Sequence, residues 1–159
     1  MMKRITWKRK AVVAVLFSMF SVLWAEEPWE GVWKLNTSKS LPYDNPPKNQ
    51  VFTTRMEDGM IVSIEDITGA NGVAYQVTAK LAFDGKDYPV NGSRAGIALV
   101  SGKRLGPNSA ELRMKKQDGT VLATYWIGVS ADRATRFNLV WYGPEVSGPP
   151  ARVQVYDRQ

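Results

Sequence analysis

The stretch VAYQVTAKLAF, residues 73–83, alternates without a break: Val73, Tyr75, Val77, Ala79, Leu81 and Phe83 share one face, and Gln76, Thr78 and Lys80 lie on the other. A period of two held this long predicts a strand with one face buried and does not fit an amphipathic helix. The pattern extends outward. Ala110, Leu112 and Met114 alternate with Glu111, Arg113 and Lys115; Phe137, Leu139 and Trp141 alternate with Arg136 and Asn138; and in the last segment Val153 and Val155 are expected to point inward. Residues 120–129 are apolar on both faces, with Tyr125 and Ile127 on one and Leu122 and Trp126 on the other. Such a strand is buried on both sides or has its outer face covered by a loop.

Between these segments the punctuation is turn-like: EDG at 57–59, GANG at 69–72, FDGKD at 83–87, VNGS at 90–93, QDG at 117–119 and SAD at 130–132. Asp-Gly and Asn-Gly suit tight hairpins, whose central residues take positive φ. Nine or ten strands are expected, at about 31–36, 50–57, 60–68, 73–83, 87–91, 95–102, 109–116, 120–129, 135–142 and 151–158. A meander of this length left open has two unpaired edges, and closure removes them. The expected fold is therefore all-β, an antiparallel up-and-down meander closed into a barrel of about 8–10 strands. Two proline-rich stretches, LPYDNPPKNQ at 41–50 and GPEVSGPP at 143–150, interrupt the rhythm and read as long loops, because proline cannot donate to a ladder.

The N-terminus is different. Lys3, Arg4, Lys8, Arg9 and Lys10 precede an apolar run from Ala11 to Leu23, the charged and apolar regions of a secretory signal. That run is 13 residues long, against roughly 20 for a membrane-spanning helix. The expected organisation is a signal peptide over 1–25, cleaved after Ala25, and one domain over 26–159, exported to the periplasm or beyond with no stable membrane insertion after cleavage. Removing 1–25 leaves 16 basic and 15 acidic residues. The formal charge of +6 is mostly a targeting feature and is no nucleic-acid footprint.

The chain has no cysteine and no histidine. It therefore lacks disulfides, thiol nucleophiles, the commonest general base and the commonest transition-metal ligand. No catalytic constellation, cofactor or metal site is expected. Asp84 and Asp87 flank a turn and are the nameable carboxylate pair, but Asp84-Gly85 reads as a hairpin turn; Glu65-Asp66 has no glycine-rich metal loop beside it. Lys103-Arg104 and Lys115-Lys116 read as solvated pairs.

Gly31-x-Trp33 on the first strand after the leader, a long loop, a meander of hairpins and a basic residue at the end of the last strand resemble the lipocalin and fatty-acid-binding superfamily of β-barrels. More narrowly, GVWKLNTSKS at 31–40, FDGKDYPVNG at 83–92 and the terminal VYDRQ resemble a group of small secreted bacterial lipocalin-like proteins that carries no established activity. The resemblance spans roughly 29–159 and implies that Gly31 and Trp33 close one end of the barrel with Arg158, or else Arg152, packed over the Trp ring. A Thr-Asp-Tyr motif and a helix beside the barrel, usual in lipocalins, have no counterpart, so the resemblance is one of architecture.

Tyr75, Val77, Leu81, Phe83, Phe137, Leu139 and Trp141 are the expected inward set, able to line an apolar cavity or to fill the barrel as solid core. Three functional readings follow. The first is a non-enzymatic barrel holding a small apolar or amphipathic, hydrophobic ligand. The second is a cell-envelope module recognising a protein or glycan through its proline-rich loops, and the third an enzyme working through Asp84 or Asp87.

Overall fold

The computed structural model describes residues 27–41, 45–93 and 95–159; the expected signal peptide lies outside them. Ten strands run in chain order: β1 (Gly31–Leu35), β2 (Asn49–Glu57), β3 (Met60–Thr68), β4 (Ala74–Leu81), β5 (Asp84–Asn91), β6 (Leu99–Gly106), β7 (Ser109–Lys115), β8 (Val121–Val129), β9 (Thr135–Tyr142) and β10 (Arg152–Arg158). Each pairs antiparallel with its sequence neighbours, and β1 closes on β10 to make a complete barrel. No edge is left to seek a partner strand.

Turn chemistry sets the boundaries. Asp58 and Gly59 both take positive φ (52° and 76°), the pair of left-handed residues that a tight hairpin between β2 and β3 requires. Two boundaries differ from the sequence pattern. Asp84-Gly85 is not the β4–β5 turn: Ala82 and Phe83 turn the chain, and Gly85 sits in a register irregularity within β5 between Asp84 and Asp87. The sixth strand starts at Leu99 rather than near residue 95 and runs on past residue 102 through Lys103 and Arg104, which pair with Glu111 and Ala110. β4 and β5 share only the pairs Thr78↔Asn91 and Ala79↔Val90, the shortest ladder in the barrel.

The two ends of the barrel differ. At the end that carries the chain's first described residues and Arg158, Trp29, Trp33 and Tyr156 are fully buried together with Ile61, Ala110, Ile127 and Val129. Residues 27–30 cross this end. The Trp29 carbonyl accepts a hydrogen bond from Trp33 Nε1 (3.0 Å) and another from the Thr54 hydroxyl. Phe83 meets the Trp29 ring at 5.7 Å, and Arg104 lies 5.1 Å from the Phe83 ring while bonding Glu27 at 2.8 Å. Arg158 Cζ lies 5.5 Å from the Trp33 ring centroid, a cation–π contact of about 0.5–2 kcal/mol. Gly31 is needed here: it takes φ 134°, and a Cβ on it would approach Arg158 Nε to 3.0 Å.

Candidate ligand-binding cavity

Above this floor the barrel is hollow. A cavity of about 390 Å³ runs up to the end where the loops after β1, β3 and β5 contribute Asn45, Pro47, Gly69, Ala70, Ser93 and Ala95 to its rim. Its size falls in the roughly 300–1,000 Å³ range of small-molecule sites.

The strand period decides which side chains reach it. On β4, Tyr75, Val77 and Leu81 line the cavity, as their alternation predicted. Phe83, just past the strand, packs against the floor instead. On β9 the expected parity is reversed. Arg136 and Asn138 point inward and are buried (5% and 2% exposed), while Phe137, Leu139 and Trp141 are on the outer face. β10 shows the same reversal, with Arg152, Gln154 and Tyr156 inward and Val153 and Val155 outward.

The physical reason is that the outer face of β8 and β9 has its own apolar partners. Phe137 sits over Gly128, directly opposite it in the ladder, where a Cβ would come within 2.2 Å of the ring. Trp126 faces Leu139 across the strands and meets Trp141 edge-on at 5.3 Å. The loop between β9 and β10 folds back over this surface, with Trp141 Nε1 donating to the Gly148 carbonyl (3.3 Å) and the Thr124 hydroxyl to that of Gly143 (3.0 Å). Phe137, Leu139 and Trp141 therefore join Trp126 in an exterior minicore, and Arg136 and Asn138 are left to the interior.

The cavity wall is divided. One arc, β4 to β8, contributes Val77, Leu81, Val100, Leu112, Met114 and Ile127. The other, β9, β10, β2 and β3 on either side of β1, contributes Gln50, Ser63, Glu65, Arg136, Asn138 and Gln154. Sequence alone did not single these six out as a site, and Glu65 was read with Asp66 as an unremarkable strand carboxylate. The available signal was the repeated polar parity of Arg136-x-Asn138 and Arg152-x-Gln154 on adjacent strands.

Within the polar arc, the Glu65 carboxylate accepts a hydrogen bond from Gln50 Nε2. The Arg136 guanidinium stacks on Phe52 (4.4 Å to the ring centroid) and donates from Nε to Asn138 Oδ1 at 3.4 Å. Phe52 in turn meets Tyr156 edge-on at 5.3 Å. Burial pushes the Glu65 carboxyl above its usual range, against the Gln50 hydrogen bond and the Arg136 charge, which favour ionisation. Burial also lowers the Arg136 guanidinium from its ordinary value, opposed by Tyr156 and Glu65. At the rim, the half-buried Arg152 stacks 5.6 Å from the ring of the exposed Tyr142.

Asp84 and Asp87 stand apart from the cavity. Asp84 caps its own bulge, accepting from the Lys86 amide and the Tyr88 hydroxyl (both 3.0 Å), and these contacts hold its carboxyl below the usual range. Asp87 pairs with Lys115 at 2.6 Å. Among the described residues no group of three or more potential metal-ligating side chains is assembled. The chain matches no protein-family model and no curated protein.

Proposed function

We propose that this protein is an exported, non-enzymatic barrel that binds one small amphipathic molecule in its interior. The observation that carries this reading is the uneven lining of the 390 Å³ cavity: mostly apolar from β4 to β8, where only Tyr75 and Tyr125 add hydroxyls, and rich in hydrogen-bonding side chains from β9 round to β3, where Phe52 and Ile67 lie among them. An alkyl or ring portion buries against Val77, Leu112 and Met114, gaining roughly 25 cal/mol per Å² of apolar surface. A polar head meets Gln50, Arg136 and Asn138, which would otherwise face the cavity with unused hydrogen-bonding capacity. The closed ten-strand meander, with Trp33 on the first strand under Arg158 on the last, supports the lipocalin-like resemblance. Export is supported by the basic residues and short apolar run at the N-terminus.

Decanol is a suitable first probe, short enough for a cavity at the small end of the usual range. Calorimetry is expected to show one decanol per barrel. Val77→Glu, which puts a charge on the apolar arc, abolishes binding, and Leu139→Glu on the outer face leaves it intact. No binding, or equal loss in both variants, overturns the reading.

The β1–β2 and β9–β10 connections, which hold the proline-rich segments, lie at the same end as the mouth. Recognition of a protein or glycan by these loops is the second reading, and it predicts partner binding indifferent to Val77→Glu.

A further inference from the structure

The apolar arc of the cavity holds one atom with a reactivity of its own, the thioether sulfur of Met114. The chain has no cysteine, so its sulfur chemistry falls to methionine. Three methionines are among the described residues, and their places differ. Met56 packs against the floor cluster, and Met60 begins β3 beside the Asp58-Gly59 turn. Met114 is the one of the three that lines the cavity. It is the next-to-last residue of β7, half-buried, at the end of the strand that leads to the mouth. Its ladder partners, Val100 on β6 and Ala123 on β8, are buried and apolar and share its inward face. A small molecule that enters by the mouth therefore reaches this sulfur, and no side chain directly opposite it on either neighbouring strand can donate a hydrogen bond.

We infer that Met114 is an oxidation site that sets the cavity's hold on its ligand: a peroxide entering by the mouth converts the thioether to the sulfoxide, which weakens binding, and a bound ligand shields the sulfur from that reaction. This rests on the proposed function and adds control of the same site. The step balances. The sulfur lone pair attacks one peroxide oxygen, the S–O bond forms as the O–O bond breaks, and the second oxygen leaves as hydroxide, which takes the proton from the new S–OH group to become water. Sulfur is oxidised by two electrons and the peroxide is reduced by the same two. The product is a polar, chiral group in place of a flexible apolar one. In the empty cavity water solvates the sulfoxide oxygen. An alkyl chain laid against the apolar arc displaces that water and leaves the oxygen without a donor, so the cost falls on the liganded state and not on the fold.

The test treats the protein with hydrogen peroxide, with and without saturating decanol, and follows the gain of one oxygen at each methionine by mass spectrometry after digestion. Met114 is expected to oxidise in the free protein and to be slowed by decanol, while Met60 oxidises at the same rate in both samples. Calorimetry on the oxidised protein is expected to show decanol affinity weakened by roughly tenfold or more, with the urea midpoint of the empty protein nearly unchanged. Met114→Leu, an exchange that conserves volume, is expected to keep decanol affinity and to make it indifferent to peroxide; Met60→Leu leaves the effect of peroxide intact. Oxidation of Met60 with Met114 untouched, equal Met114 rates with and without bound decanol, oxidised Met114 with unchanged affinity, unfolding on oxidation, or a peroxide effect that survives Met114→Leu overturns the inference. Failure of the untreated protein to bind decanol overturns the underlying function instead.

Discussion

The two arcs of the barrel wall obey opposite rules. On β4 and β7 the apolar member of the alternating pair points into the cavity and the polar or charged member faces water, as with Leu112 and Met114 against Glu111 and Arg113. On β9 and β10 the polar member points in, and the apolar member is outside beneath the β9–β10 loop, as with Arg136 and Asn138 against Phe137 and Trp141. The first arc is an ordinary half-buried sheet. The second carries an exterior apolar cluster in which Phe137 and Trp126 stay partly exposed, and it buries Glu65 and Arg136 on its inner face at a cost in desolvation.

The sharpest way to break this contrast is to put a carboxylate on the wrong arc. Ile127→Glu places a charge among the floor residues Trp33, Val129 and Ala110 with no partner, and a loss of about 3–5 kcal/mol is expected in urea unfolding. A loss below about 1 kcal/mol would mean that the apolar arc is as well hydrated as the polar one.

A smaller effect tests the outer cluster. Gly128→Ala drives a methyl into the Phe137 ring and is expected to cost about 1–2 kcal/mol, since the half-exposed ring can turn partly away. Adding Phe137→Ala should relieve most of that cost in a double-mutant cycle. Simple additivity would show that the ring does not rest on Gly128.

The smallest effect is a pH dependence. Glu65 has its carboxyl raised in the folded state, so its ionisation works against folding. The stability it permits is complete below its unfolded value and falls as pH rises through the folded one. Glu65→Gln is therefore expected to unfold at a higher urea concentration than wild type at pH 8 and to lose that advantage toward pH 4. An advantage that stays constant with pH would place Glu65 in water.

Much of this architecture was legible in the chain. The alternation at 73–83, the Asp-Gly turns and the regular spacing of strands point to a closed meander, because strand period and turn conformation are local properties. Trp33 and Arg158, at the two ends of that meander, become ladder partners once it closes. The cavity's apolar wall was legible for the same reason: Tyr75, Val77 and Leu81 follow the rule that apolar faces turn inward.

Its polar wall was not legible. A strand's pattern says that two faces differ; it does not say which of them meets the inside. For Phe137, Leu139 and Trp141 the choice was made by Gly128 and Trp126 on the neighbouring strand and by a loop that returns to cover them. The sequence by itself determined most of the strands and turns, which are properties of near neighbours in the chain, and the length of the meander favoured closure. Only the tertiary structure decided that Glu65 and Arg136, 71 residues apart, share one cavity, because closing a barrel brings together residues whose separation no local period records.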